Sequence, residues 1–468
     1  MLCGLFALVA AQLVGFVVLL RALPPGATPV AGFVFLTLVI FGWAGSLVVA
    51  LSRGLWRALR LGDVRSSGPA LDGDQAPGLW ALVREVAEEA GTRPPHEVRL
   101  MSEINFRYAH AFLRGRRTLF LGLPLLQSIT VGQARFGLAH HLGHFAAGHT
   151  RWVRVVERCD VAIVTSAEVL RPTNPASWGF KAYRWLYDLV DGVCSRRWEH
   201  RADAVGVRVA GTADAVGALH EIAAVREAWE FFCEFHLVPG LEAGNNAADM
   251  FGGFAEFVAA RKDEVDDLRA RPLATAGKWW DTYPSPARRA AVITARFPDV
   301  VVPSDGRSAA SLILDPVAAG KAVQEADGDP HGRPLLEWPE FTHAAVTARL
   351  AGEAAGILDA IGLTGPGLPG VLRMLEDGRL DDLARPLFPD AAPGEPPDLF
   401  LTPLEVLMNL AAVRAGQATF RHSWTEPAEL FAPDGSPLDL SGVAERAITD
   451  PRGATTELAA LGIGIWRA

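Results

Sequence analysis

Two histidines, His140 and His144, stand four residues apart in the run Ala139-His140-His141-Leu142-Gly143-His144-Phe145. On a helix that spacing puts both imidazoles on one face, where they can grip a single metal ion. The segment reads as a helix with a defined start. Thr130 and Gln133 form a T-x-x-Q capping box, and Phe136, Leu138, Ala139, Leu142, Phe145 and Ala146 supply an apolar side. In the H-E-x-x-H pattern a glutamate directly follows the first histidine and serves as general base on a metal-bound water. Here His141 occupies that position, so the run keeps the metal grip and lacks the carboxylate. Taken alone, the pair is equally well read as buried or capping histidines of an ordinary core helix.

A third donor separates these readings. Ser195-Arg196-Arg197-Trp198-Glu199-His200-Arg201-Ala202-Asp203 lies in an Ala/Val/Leu-rich segment that reads as helix from about Tyr183 to Ala210. By itself Glu199 is a solvated helix residue. Beside the histidine pair it completes a His2Glu set whose fourth position is left to water. Asp203, one turn further on, stands where it can hydrogen-bond a ligand histidine.

The order of Asn105, then Leu119-Phe120-Leu121-Gly122-Leu123-Pro124-Leu125-Leu126, then the histidine helix, then S-R-R-W-E-H-R-A-D resembles the HtpX-type membrane zinc metalloproteases, relatives of the CAAX prenyl proteases. The likeness runs from roughly residue 75 to 300. It implies a zincin-like α+β domain, mainly α with a small β-sheet, and one zinc per chain held by His140, His144 and Glu199 with Asp203 in support. It also implies a strand edge near the active site that pairs with extended polypeptide. Thr282-Tyr283-Pro284-Ser285-Pro286-Ala287-Arg288-Arg289 matches a later His-Pro segment of the family. Tyr283 stands at the family's histidine and Arg289 at its arginine. His141, Tyr283 and Arg289 are thus the catalytic positions that the resemblance marks, and two of them depart from its pattern. The expectation is a pseudoprotease that binds polypeptide or a protein partner without cutting it. The alternative is an active endopeptidase of membrane or misfolded proteins in which His141, as neutral imidazole, acts as base and Tyr283 donates to an oxyanion.

Half of the 468 residues are hydrophobic, and the mean hydropathy is +0.19. Much of that excess sits in two apolar runs, 2–20 and 31–51, each long enough to cross a bilayer as a helix and joined around Pro24-Pro25-Gly26. A cleaved signal peptide competes for the first run, but no Lys or Arg precedes it. Arg53, Arg57, Arg60 and Arg65 follow the second run, against Arg21 in the turn. That asymmetry predicts a bacterial-type inner-membrane protein with both termini and most of the chain cytoplasmic, in contact with the lipid bilayer. Charged residues scattered between Arg151 and Asp191 preclude a clean third span. The formal charge of −9, with no long basic cluster, excludes nucleic acid as a partner. Cys3, Cys159, Cys194 and Cys233 form no C-x-x-C pair, so the metal site is not built on thiolates.

The expected organisation is a transmembrane hairpin (1–52), a juxtamembrane linker (53–77), the metalloprotease-like domain (78–300) and a mainly helical C-terminal region (301–468). The domain should open with an amphipathic helix from Leu79 to Ala90, followed by strands at Glu97–Met101 and Thr118–Leu121 and a possible third within Phe106–Leu113. The C-terminal region should hold helices at 342–361 and 403–415. Two short strands, 428–431 and 437–440, should flank a turn at Pro433-Asp434-Gly435-Ser436. His331, His343 and His422 are isolated there and mark no catalytic group.

Overall fold

The computed structural model describes residues 68–110, 116–146, 150–170, 175–275, 284–329, 331–363, 367–390 and 396–463, with 14, 42 and 45–58. The chain forms two compact units, one of residues 1–225 and 267–327, the other of 226–266 and 328–468.

The first unit contains a four-stranded sheet in the order β1-β2-β4-β3, built from Ala70–Leu71 (β1), Glu97–Met101 (β2), Phe106–His110 (β3) and Arg117–Gly122 (β4). Strand β2 alternates half-buried Glu97 and Arg99 with buried Val98 and Leu100, the period-two pattern that seats one face on a core. It pairs in parallel with β4, Val98 opposite Leu119 and Leu100 opposite Leu121. Strand β3 runs antiparallel to β4 and is left at the edge of the sheet. The helix Pro77–Glu89 buries Leu79, Leu82, Val83, Val86 and Ala87, as its spacing predicts.

The His helix spans Val131–Ala146. Its capping box is formed: Thr130 N donates to Gln133 Oε1 at 2.9 Å, and Gln133 N donates to Thr130 Oγ1 at 3.2 Å. The next two amides, of Val131 and Gly132, donate to the carbonyls of Arg307 and Asp305 at 2.8 and 3.0 Å. Backbone donors that any helix start leaves open are thus satisfied by a strand-like return of the chain. The Glu helix, Pro175–Ala210, begins earlier than its apolar pattern suggests and ends at Gly211, whose φ of +85° suits glycine. A third helix, Pro286–Arg296, carries Arg289 and is capped by Ser285, whose Oγ accepts from the Arg288 amide.

The two apolar runs fall almost wholly outside the described residues. Among the described residues no helix is long and apolar enough to cross a membrane. Residues 45–58 are helical, and Leu47 and Ala50 pack with Cys159, Ile163, Leu170 and Phe180.

The second unit is mainly helical. The two expected helices form as Trp338–Ala360 and Pro396–Arg414, each starting earlier than expected and ending one residue sooner, and the second contributes Phe400, Leu404, Leu407 and Met408 to the core of this unit. The expected strand at 428–431 forms as Glu429–Phe431, but it pairs with Thr419–Arg421. Past the turn, Pro437 makes only an isolated bridge to Phe431. That bridge is closed by the Leu438 amide donating to the Leu430 carbonyl at 2.8 Å and the Ala432 amide donating to the Ser436 carbonyl at 2.9 Å.

Candidate metal centre

His140 and His144 project from the His helix, Glu199 and Asp203 from the Glu helix, and Arg289 from the third. Two glycines set how closely the first two helices lie. A Cβ at Gly143 would come within 2.9 Å of the Val205 side chain, and one at Gly206 within 2.7 Å of the Phe136 ring. Each helix therefore presents a bare backbone patch to a side chain of the other, and the Glu199 carboxylate reaches the histidine pair.

One donor atom from each of His140, His144 and Glu199 lies within 4.8 Å of the others, a set that can hold a metal ion. His140 Nε2 is 3.4 Å from Glu199 Oε2, and His144 Nε2 is 3.4 Å from Glu199 Oε1. Two donors each ~2.0–2.1 Å from a tetrahedral ion are separated by about 3.3–3.4 Å. Each histidine thus lies at that spacing from one oxygen of the carboxylate, and the three donors together lie within 4.8 Å.

Hydrogen bonding fixes the proton on His140. Its Nδ1 is 2.9 Å from Asp203 Oδ1, while Arg289 donates to both Asp203 oxygens, from Nε at 3.0 Å and from Nη2 at 2.6 Å. The same Nη2 is 3.2 Å from His140 Nδ1, but it is already engaged by the nearer carboxylate. Nδ1–H therefore donates to Asp203, and the Nε2 lone pair faces Glu199. Burial is the main influence lowering the pKa of His140, and the Arg289 charge adds to it; Asp203 and Glu199 push the other way. For Asp203 burial raises the pKa, but His140 and Arg289 outweigh it and hold the carboxyl well below the usual range. Glu199 is likewise held low, burial opposed and overcome chiefly by His144 and His140. The result is a neutral imidazole lone pair set against an ionised carboxylate oxygen, both acceptors, which is unfavourable unless a cation lies between them. Asp203 is nearly inaccessible, with 2% of its side chain exposed, whereas His144 keeps 21%, so solvent reaches the cluster from the His144 side.

His141 does not join the donor set. Its ring lies 5.2 Å from that of His140, nearly perpendicular, and 6.4 Å from that of Phe106 on β3. Burial lowers its pKa well below the ordinary value, with His140, His144 and Arg289 acting in the same direction. Tyr283 lies outside the described residues. Motif reading passed over Gly143, Gly206 and Phe106, because a glycine inside a helical pattern looks like a weakness rather than a point of contact.

Residues 74–297 match peptidase family M48. Protease HtpX of Pseudomonas putida strain W619 is 29% identical over 205 residues, covering 39% of this chain and 68% of the relative. Protease HtpX of Acinetobacter baumannii strain AYE is 28% identical over 238 residues, covering 45% and 78%. That of Stutzerimonas stutzeri strain A1501 is 24% identical over 257 residues, covering 50% and 85%. No solved structure matches the chain. The match spans strands β2 to β4, the His and Glu helices and the arginine that braces Asp203, and together with these relatives it supports an HtpX-type member of peptidase family M48.

Proposed function

We propose that the chain is a membrane-attached, zinc-binding member of its family that holds polypeptide but is impaired in cleaving it. The observation that carries the metal assignment is the 3.4 Å approach of two acceptors, His140 Nε2 and Glu199 Oε2. His140, His144 and Glu199 would hold one zinc per chain, and the two nitrogens and one carboxylate suit that ion. When bound, zinc polarises a water or a peptide carbonyl. Asp203 keeps the proton on His140 Nδ1 and so leaves the Nε2 lone pair free to ligate the metal, and Arg289 holds Asp203 ionised and oriented. The open edge of β3 offers backbone groups to an extended peptide.

Impairment rests on residue 141. The position of the general base carries an imidazole whose nitrogens stand apart from the donor set and whose ring packs toward Phe106. Loss of a general base typically costs ~10²–10⁴-fold in rate. Tyr283, in place of the family's histidine, removes a second group. Membrane attachment is supported by the apolar N-terminal runs and by exposed Val48, Val49, Trp56 and Trp185 beside them in the sequence or on the Glu helix. The arginines that follow the second run favour an inner-membrane location with the metal domain in the cytoplasm.

The test is gain of function. His141→Glu should raise casein cleavage from a negligible baseline, and adding Tyr283→His should raise it further. Strong zinc-dependent cleavage by the unaltered chain, abolished in His141→Ala, would establish His141 as a working base and remove the impairment reading.

A further inference from the structure

The helix Thr212–Phe232 carries the chain into the second unit and runs on through a π-helical turn, Cys233–Leu237, into the helix Val238–Glu242. In that turn the Val238 amide donates to the Cys233 carbonyl, five residues back. One side of this run is seated. Ala228, Phe232 and Leu237 are buried, and Trp229 stacks on Phe232 and Phe251 with ring centroids 5.6 and 6.1 Å apart. The other side is open: Phe231, Phe235 and Val238, spaced four and three residues apart, are 38, 57 and 39% exposed, and the two rings lie 4.5 Å from each other. Apolar residues at that spacing form a seam along a helix, and a seam left in solvent marks a contact surface. π-Helical turns are rare and frequently mark functional positions.

The charges beside the seam are mainly acidic. Glu230 and Glu234 alternate with it along the chain, are exposed, and form no salt bridge among the described residues. Arg226 and Glu227 stand together at its start, both exposed. Arg261 is the basic group against the rings, its guanidinium 5.2 Å from the Phe231 centroid and 5.6 Å from that of Phe257. It is already engaged, 3.6 Å from Glu264 and donating to the carbonyls of Trp424 and Thr425. Arg261 shows that a guanidinium settles on these rings.

We propose that this face docks a basic amphipathic helix of a partner protein, its leucine-type side chains on Phe231, Phe235 and Val238 and its arginines or lysines opposite Glu230 and Glu234. A helix laid on a helical seam is a recurrent recognition mode, and opposite charge at its rim selects the partner. Anionic lipid headgroups would instead meet the two glutamates as like charges. A two-fold contact with a second copy would set the same glutamates against each other.

The probe is a fluorescein-labelled helical peptide of leucine, alanine and arginine, about 18 residues long so that it holds its helix, with leucine along one face. Titrated with the full chain and followed by anisotropy, it should bind at least ~10-fold more tightly than the same peptide with glutamate for arginine or serine for leucine. Phe235→Ser and the double variant Glu230→Lys/Glu234→Lys, all at exposed positions, should each weaken it ~10-fold or more with the circular dichroism spectrum unchanged. Equal binding of the arginine and glutamate peptides, equal binding by the unaltered chain and both variants, or no binding at all would each overturn the proposal. So would a sedimentation dimer that Phe235→Ser dissociates, which gives the face to a second copy, or binding to phosphatidylglycerol vesicles that Phe235→Ser abolishes, which gives it to a membrane.

Discussion

Replacing Gly206 by alanine tests whether the close approach of the two helices that carry the candidate metal donors is what assembles the site. The new Cβ would lie 2.7 Å from Cδ2 and Cε2 of Phe136, and 3.3 Å from that residue's carbonyl oxygen. Carbon atoms in contact prefer ~3.5–4.0 Å, so about 0.8 Å must be found. Phe136 is 2% exposed, and its ring lies 6.1 Å from that of His140, so it has little room to yield. Two opposed effects act on stability. Alanine in a helix interior gains ~1 kcal/mol over glycine, while overpacking a dense core typically costs ~1–3 kcal/mol. The net is a modest destabilisation of about 0–2 kcal/mol, too small by itself to decide anything.

Metal affinity decides. Glu199 lies two turns before Gly206 on the same helix, and a metal site tolerates ligand displacements of only ~0.2 Å. A shift of even half the required clearance spoils the geometry, and affinity should fall at least ~10-fold. Zinc competition with a chromophoric chelator measures this directly. In thermal unfolding the variant should lose ~1.4 kcal/mol of the zinc-dependent stabilisation for each tenfold in affinity. Gly352 is the control: it is an exposed position in the helix Trp338–Ala360, where a Cβ would meet nothing within 4 Å. Gly352→Ala should stabilise by up to ~1 kcal/mol with metal content unchanged. Unaltered zinc affinity in Gly206→Ala, whatever its melting temperature, would refute the argument.

Asp203→Asn removes the charge that orients His140 and leaves the Arg289 guanidinium without its carboxylate; zinc affinity should fall ~10–100-fold, and a chelator titration matching the unaltered chain would disprove the orienting role. Thr130→Ala should destabilise by ~0.5–2 kcal/mol in urea unfolding through loss of one half of the capping box, with little effect on metal affinity. The metal-free chain should lose stability in two windows as pH falls. His140 has a folded pKa below its unfolded value of ~6.5, so its contribution is complete above pH 6.5 and erodes below it by up to ~1.4 kcal/mol per pH unit. The depressed carboxyl of Asp203 contributes fully above ~3.8 and is lost only at more acid pH. Urea unfolding in the presence of chelator at pH 7.5, 6.0 and 5.0 checks the first window; stability that is flat or rising toward pH 5, or a profile unchanged in His140→Gln, contradicts it.

Local pattern was legible wherever a segment's own residues decide its conformation. Thr130 and Gln133 announced the start of the His helix and are bonded to each other. The alternation of Glu97, Val98, Arg99 and Leu100 announced β2, and the apolar spacing of Leu79, Leu82, Val83 and Val86 announced the first helix. Pairing was less legible. The expected partner of the 428–431 strand was its neighbour beyond the turn, yet the ladder forms with Thr419–Arg421, and the nearer pairing is limited to the single bridge between Phe431 and Pro437.

Donor chemistry is written in residue types and their spacing: two imidazoles on one helical face, a carboxylate on another helix, and a histidine where a glutamate would follow His140. It is packing that brings Glu199, Asp203 and Arg289 onto those imidazoles, since their separations along the chain carry no information about distance in space. It also decided that His141 turns toward Phe106 and a cavity, and that residues 226–266 pack with 328–468 in one unit while 267–327 return to the other. One cause underlies all three. Helical and strand periods are set by the backbone, whereas the approach of one element to another is set by what faces it across the contact. At Gly143 and Gly206 that is a missing side chain, whose meaning appears only when Val205 and Phe136 fill the space.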